Sequence, residues 1–112
     1  MIEDYRFGTY TFEGVQYTED AIIHRGQIRS WWRKRGHSVA AEDIAGLLAE
    51  QPTAIVIGTG AYGIMQVPAE TRRLIEEHGI ALTIAKTGKA VAAFNRLLEA
   101  GSDVAIAMHL TC

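Results

Sequence analysis

The chain has one cysteine, and it is the last residue, Cys112. That excludes an intrachain disulfide and any metal site built on several thiolates. A lone thiol suits a reducing compartment, so the cytoplasm is the expected location. Long apolar runs are also missing. None exceeds the length of Val104 to Met108, far short of the roughly 20 residues that a membrane-spanning helix needs. Met1-Ile2-Glu3-Asp4 has neither the basic start and apolar run of a secretory signal nor the basic character of a transit peptide. Charge of one sign is not in excess: 11 Lys and Arg stand against 13 Asp and Glu, a net charge of −2. No whole-molecule field therefore draws the protein to polyanions, and any nucleic-acid site has to be a local patch. Repeats, low-complexity segments and linkers are absent as well, so the 112 residues read as a single domain, 1–112, able to fold without staples.

What is present changes character near Gly36. In 1–36, short segments rich in aromatic and β-branched residues alternate with turn signals. They are Tyr5 to Phe12, Val15 to Thr18, Ala21 to His24 and Gln27 to Arg33, with Glu13-Gly14 and Arg25-Gly26 between them. Spacing this tight permits only hairpins. In 37–112 helical stripes alternate with apolar runs. The stripes are Ile44, Leu47, Leu48; then Val67, Thr71, Leu74, Ile75, His78; then Val91, Phe94, Leu97, Leu98. The runs are Ala54 to Ile57, Ile80 to Ala85 and Val104 to Leu110. Runs apolar on both parities read as strands covered on both faces, and strands joined by helices run parallel through right-handed crossovers. The expected fold is α/β: one three-layer domain with a parallel or mixed central sheet, flanking helices and amino-terminal β-hairpins.

The stretch Ile57 to Gly63 contains G-x-G-x-x-G, the spacing of a dinucleotide turn. Its context does not fit, because such a turn opens directly into a helix whose amino end holds the pyrophosphate. Here Ile64-Met65-Gln66-Val67 intervene before Pro68 offers a helix start. No cofactor is expected. In open α/β sheets ligands favour the carboxyl ends of the parallel strands. Those ends carry Gly58, Thr59 and Gly60, then Lys86, Thr87 and Lys89, then His109 and Cys112. Lysines beside a helix amino end could hold a small phosphate or carboxylate. The plain alternative is that Thr87 caps a helix, the glycines turn the chain and the lysines are solvated. His109 and Cys112 raise a thiolate–imidazole pair, but no third orienting group is identifiable and the two side chains tend to opposite faces of a strand. His24 and His37 have no metal-spaced partner, so no metal is expected.

The densest charge cluster joins Arg25, Arg29, Arg33, Lys34 and Arg35 to Trp31 and Trp32. On a strand Arg29, Trp31 and Arg33 share one face and Ile28, Ser30 and Trp32 the other. Trp32 then points to the core, and Trp31 lies exposed among guanidinium groups. Arg29, Trp31, Arg33 and Arg35 are thus the candidate protein-binding surface. Two alternatives stay open: arginine stems shielding an edge strand, and a platform for single-stranded nucleic acid, which the acidic total disfavours.

Five segments then resemble one family in order and spacing: W-W-R-K-R-G-H from Trp31, I-G-T-G from Ile57, V-P-A-E-T from Val67, T-G-K-A and F-N between Thr87 and Asn95, and the terminal H-L-T-C. It is the small α/β family of unknown activity that includes the mitochondrial complex I assembly factor 3 and an adipogenesis-associated relative. Ala40-Ala41, Lys86 and Phe94 depart from its usual residues. The resemblance implies a three-layer α/β fold, an assembly role by analogy, and no established catalytic residues. The expected function is a non-catalytic protein-binding or assembly module with a protein partner or self-association. The alternative is an enzyme binding a small molecule or anion at Thr59, Lys86, Lys89 and His109.

Overall fold

The computed structural model describes residues 1–112. The aromatic amino-terminal segments form two hairpin systems. A three-stranded antiparallel sheet joins β1 (Ile2–Arg6), β2 (Thr9–Phe12) and β3 (Val15–Tyr17). Tyr5 to Phe12 is therefore not one segment: the chain reverses at Gly8, whose φ of +84° is open only to glycine at low strain. A second hairpin pairs β4 (Ala21–His24) with β5 (Gln27–Ser30). It joins a five-stranded mixed sheet.

The carboxyl-terminal part supplies α1 (Ala41–Ala49), β6 (Ala54–Thr59), α2 (Ala69–Glu77), β7 (Ala81–Ala85), α3 (Thr87–Glu99) and β8 (Val104–His109). The order of the large sheet is β5-β4-β8-β6-β7. β6 runs parallel to both β7 and β8, and β4 is antiparallel to β8. The expected parallel arrangement of the three apolar runs is observed, with β7 and β8 on either side of β6, because α2 and α3 each return the chain to the end of the sheet where the previous strand began.

Both faces of the sheet are covered along β6 and β8, which is why those two strands are buried at every position and almost wholly apolar. Ala54, Val56, Val104, Ile106 and Met108 face α3 and the small sheet, meeting Phe94, Val91, Tyr10 and Ile2. Ile55, Ile57, Ala105 and Ala107 face α1 and α2, meeting Ile44, Leu47, Met65 and Ile75. The result is three layers. The helical stripes hold for Ile44, Leu47, Leu48, Thr71, Ile75, Val91 and Phe94, whereas His78 and Leu98 lie exposed at helix ends. The run Ile80 to Ala85 departs from expectation in one respect. β7 is an edge strand, and Ala81, Thr83 and Ile84 are exposed.

Candidate functional site at the carboxyl ends of the parallel strands

β6, β7 and β8 end side by side, and the loop 60–63, the first turn of α3 and residues 110–112 close over them. Thr87 ties these parts together. Its Oγ1 donates to the His109 carbonyl at 2.6 Å and accepts the Gly60 N–H at 2.8 Å, in a fully buried position. The cap position of α3 is Lys86, so Thr87 is not a helix cap but a clamp between the ends of β6 and β8.

The glycines serve this closure. A Cβ on Gly58 would lie 2.8 Å from Thr87 Oγ1, and one on Gly60, where φ is +103°, would lie 2.3 Å from the backbone of Cys112. The loop also receives the chain end, with Ile64 N–H donating to the Cys112 carbonyl at 3.1 Å. Gly58 and Gly60 are thus filled by protein. Helix α2 begins at Ala69, well past Gly63, so no helix amino end faces the loop from that side.

His109 has an orienting group that the sequence reading lacked. Asp20 Oδ2 accepts from His109 Nδ1 and from Arg33 Nη2, each at 2.8 Å, while Oδ1 accepts the Leu110 N–H at 2.8 Å. Burial pushes the Asp20 carboxyl up, but the bonds from His109, Arg33 and Leu110 outweigh it and hold the group below its ordinary range. With Nδ1–H assigned to the carboxylate, a neutral His109 carries its lone pair on Nε2. That is the geometry of an oriented base. Nε2 itself is buried and makes no hydrogen bond within the protein. The His37 ring packs edge-on against it at 5.5 Å.

The arginine ribbon differs from expectation. Trp31, not Trp32, is the core residue: Trp31 is 5 % exposed and Trp32 76 %. The strand ends at Ser30, and the face shared by Arg29, Trp31 and Arg33 is the one that α1 covers. There the Trp31 indole N–H donates to the Asp43 carbonyl at 3.0 Å. Arg33 is also withdrawn, with its side chain 5 % exposed, bonded to Asp20 and stacked 4.5 Å over the Trp31 ring. Arg29 is exposed but paired with Glu50 at the other end of the sheet. Arg35 is exposed, in a short backbone bridge with Ser38. Contrary to the parity reading, Trp31 and Arg33 are therefore not exposed side by side on a surface.

The anion candidates are partly separated. A cleft of about 390 Å³ is lined by Thr59, Gly63, Gln66, Arg72 and Lys86, and Lys89 and His109 lie outside it. Arg72, which no motif marked, reaches the cleft from α2. Neither it nor Lys86 is in an ion pair.

At the opposite end of the sheet, buried His24 lies between Glu50 (2.6 Å) and Asp103 (2.8 Å), with Arg25 and Arg29 outside them. His24 and then Arg29 hold Glu50 below the usual carboxylate range, and Arg25 and then His24 do the same for Asp103. Asp20, Glu50 and Asp103 all have folded values below their unfolded ones. Their stabilisation is present above the unfolded carboxylate range near pH 4 and is lost as pH falls through the folded values, where the unfolded chain binds more protons. The melting temperature should therefore fall steadily from about pH 5 to pH 3. A flat melting profile across that window would show that these contacts are not formed in solution.

Residues 2–109 match the family described as "Protein of unknown function (DUF498/DUF598)". The chain belongs to this family. No curated protein matches the sequence. Among solved structures, this DUF498/DUF598 chain is similar to the conserved hypothetical protein PH1505 from Pyrococcus horikoshii OT3, with TM-score 0.90 and 23 % identity over 100 % of this chain and 99 % of that one. It is also similar to a protein of Bartonella henselae described as an outer membrane protein, with TM-score 0.85 and 28 % identity over 99 % and 94 %. A Mth938-like domain of Bordetella pertussis gives TM-score 0.76 and 19 % identity over 97 % and 84 %. These neighbours share the three-layer α/β fold of the DUF498/DUF598 chain. No helix of the structure is long and apolar enough to cross a membrane.

Proposed function

We propose that this DUF498/DUF598 chain is a non-catalytic protein-binding module, assembly factor-like in the sense that the sequence resemblance implies, acting in a reducing, cytoplasmic setting. One observation carries this reading. Phe7, Tyr62 and Ile64 are large, apolar and exposed beside the closed carboxyl-end site, with the Phe7 and Tyr62 rings 5.8 Å apart. They stand on backbone held by the chain end, through Gly8 N–H to the Leu110 carbonyl and Ile64 N–H to the Cys112 carbonyl. Exposed aromatics on an ordered support bind at low entropic cost, and such anchors dominate interface energetics. This rim replaces the arginine ribbon as the proposed contact surface.

The second reading, a small-anion site, rests on the unpaired Arg72 and Lys86 in their cleft. One experiment separates the two. Phe7→Ser with Tyr62→Ser and Ile64→Ser should keep the wild-type melting temperature within a few degrees and lose at least about tenfold in affinity for a protein captured by the wild type from its native cell. Equal capture by the variant disposes of the rim. A metabolite anion that raises the melting temperature, and whose effect Arg72→Ala abolishes, would move the function to the cleft.

A further inference from the structure

Edge strands of natural sheets carry protection: a charge, a proline, a bulge or a cover. β7, Ala81-Leu82-Thr83-Ile84-Ala85, has none of these, and Ala81, Thr83 and Ile84 are exposed. The opposite edge, β5, carries Arg29 paired with Glu50. The register fixes which groups of β7 are free. Ala81 N–H donates to the Thr53 carbonyl, and β6 and β7 run parallel, so Ala81, Thr83 and Ala85 bond inward. The N–H and C=O groups of Leu82 and Ile84 face away from the sheet.

We propose that β7 pairs with β7 of a second copy of the chain, antiparallel and centred on Thr83. The free groups are self-complementary in that register, and it leaves none of them unused. Leu82 of each copy meets Ile84 of the other in a reciprocal pair of hydrogen bonds. Thr83 faces Thr83 in the non-hydrogen-bonded position between them, with Cα atoms about 4.5 Å apart. The two five-stranded sheets become one. On the α2 face, exposed Ile84 gains Leu82 of the second copy as a cross-strand neighbour.

The charges of α2 fit the same arrangement. Arg72 and Arg73 lie towards its amino end and Glu76 and Glu77 at its carboxyl end, the reverse of what the helix dipole prefers. None of the four is ion-paired within the chain. A two-fold axis perpendicular to the sheet at Thr83 sets the two α2 helices antiparallel on one face. Arg72, which lies beside Ile84 and Lys86, then sits alongside the Glu76 end of the other copy, while Arg73 and Glu77 line the groove against Ala41 of α1. Lys86, at the carboxyl end of β7, falls likewise towards the Glu76–Glu77 end of the second copy.

The test is sedimentation or light scattering on the full chain at tens of micromolar. The wild type should be a dimer. Thr83→Glu and Thr83→Lys, changes at an exposed side chain, should each be monomeric with an unchanged circular dichroism spectrum, and mixing the two should restore the dimer, because like charges directly opposite repel and opposite charges pair. Thr83→Cys in a Cys112→Ser background should cross-link on mild oxidation at the distance of that non-hydrogen-bonded pair, which gives a readout even if the charged variants fold poorly. A monomeric wild type overturns the proposal. So does a dimer that survives Thr83→Glu unchanged in affinity, or a Thr83→Cys variant that fails to cross-link.

Discussion

Replacing Asp20 by alanine should destabilise the protein by about 3 to 5 kcal/mol, the range for removing one partner of a buried ion pair. The carboxylate accepts from His109, from Arg33 and from the Leu110 N–H. Without it, Arg33, with its side chain 5 % exposed, keeps a charge that water cannot reach, and His109 loses the acceptor of its Nδ1. The loss corresponds to a fall of roughly 10 to 20 °C in melting temperature for a chain of this size. Asp20→Asn should be milder, since an amide oxygen can still accept from Leu110 while the charge pairing is gone. Thermal melts of both variants decide the matter. A near-native melt for Asp20→Ala would mean that the interactions at this end of β8 do not support the fold.

Trp31→Ala should cost a similar amount, about 3 to 5 kcal/mol, as deletion of a buried indole does. The side chain fills space between α1 and the sheet, and its removal also leaves the Asp43 carbonyl without its donor and Arg33 without the ring beneath it. Trp32→Ala, one position on, should change stability by no more than about 0.5 kcal/mol, because that ring is in solvent. Chemical denaturation of the two variants makes a direct comparison. Equal effects, or a larger one at Trp32, would reverse the assignment of core and surface along this segment.

The reversal at Trp31 shows where sequence reading stopped. Parity along Gln27 to Arg33 groups Arg29, Trp31 and Arg33 on one face, although the strand itself ends at Ser30. It could not say that α1 would cover that face, since the contact of Trp31 with Asp43 depends on how a later helix docks. The arginines then looked like an exposed cluster, although Arg33 had a carboxylate to neutralise. Asp20 was missed for the same reason. One acidic residue before a strand carries no local signal, and its distance of 89 residues from His109 is bridged only when β4 pairs with β8. Arg72 and the rim of Phe7, Tyr62 and Ile64 are likewise assembled from separate elements.

The local pattern by itself determined the class of fold. Apolar runs at both parities pointed to strands buried on two faces, which holds for β6 and β8 but not for the edge strand β7; the helical stripes between them required crossovers and so a parallel arrangement, and the tight turn spacing before Gly36 allowed only hairpins. Those conclusions rest on periodicity and chain reach, which neighbouring residues encode. The tertiary structure alone decided which tryptophan is buried, which carboxylate orients His109, that Thr87 and the glycines close the carboxyl-end site, and that β7 is left as an open edge. Each of these depends on pairings between residues far apart in the chain, and the physical terms involved, burial and desolvated charge, are set by what arrives from elsewhere.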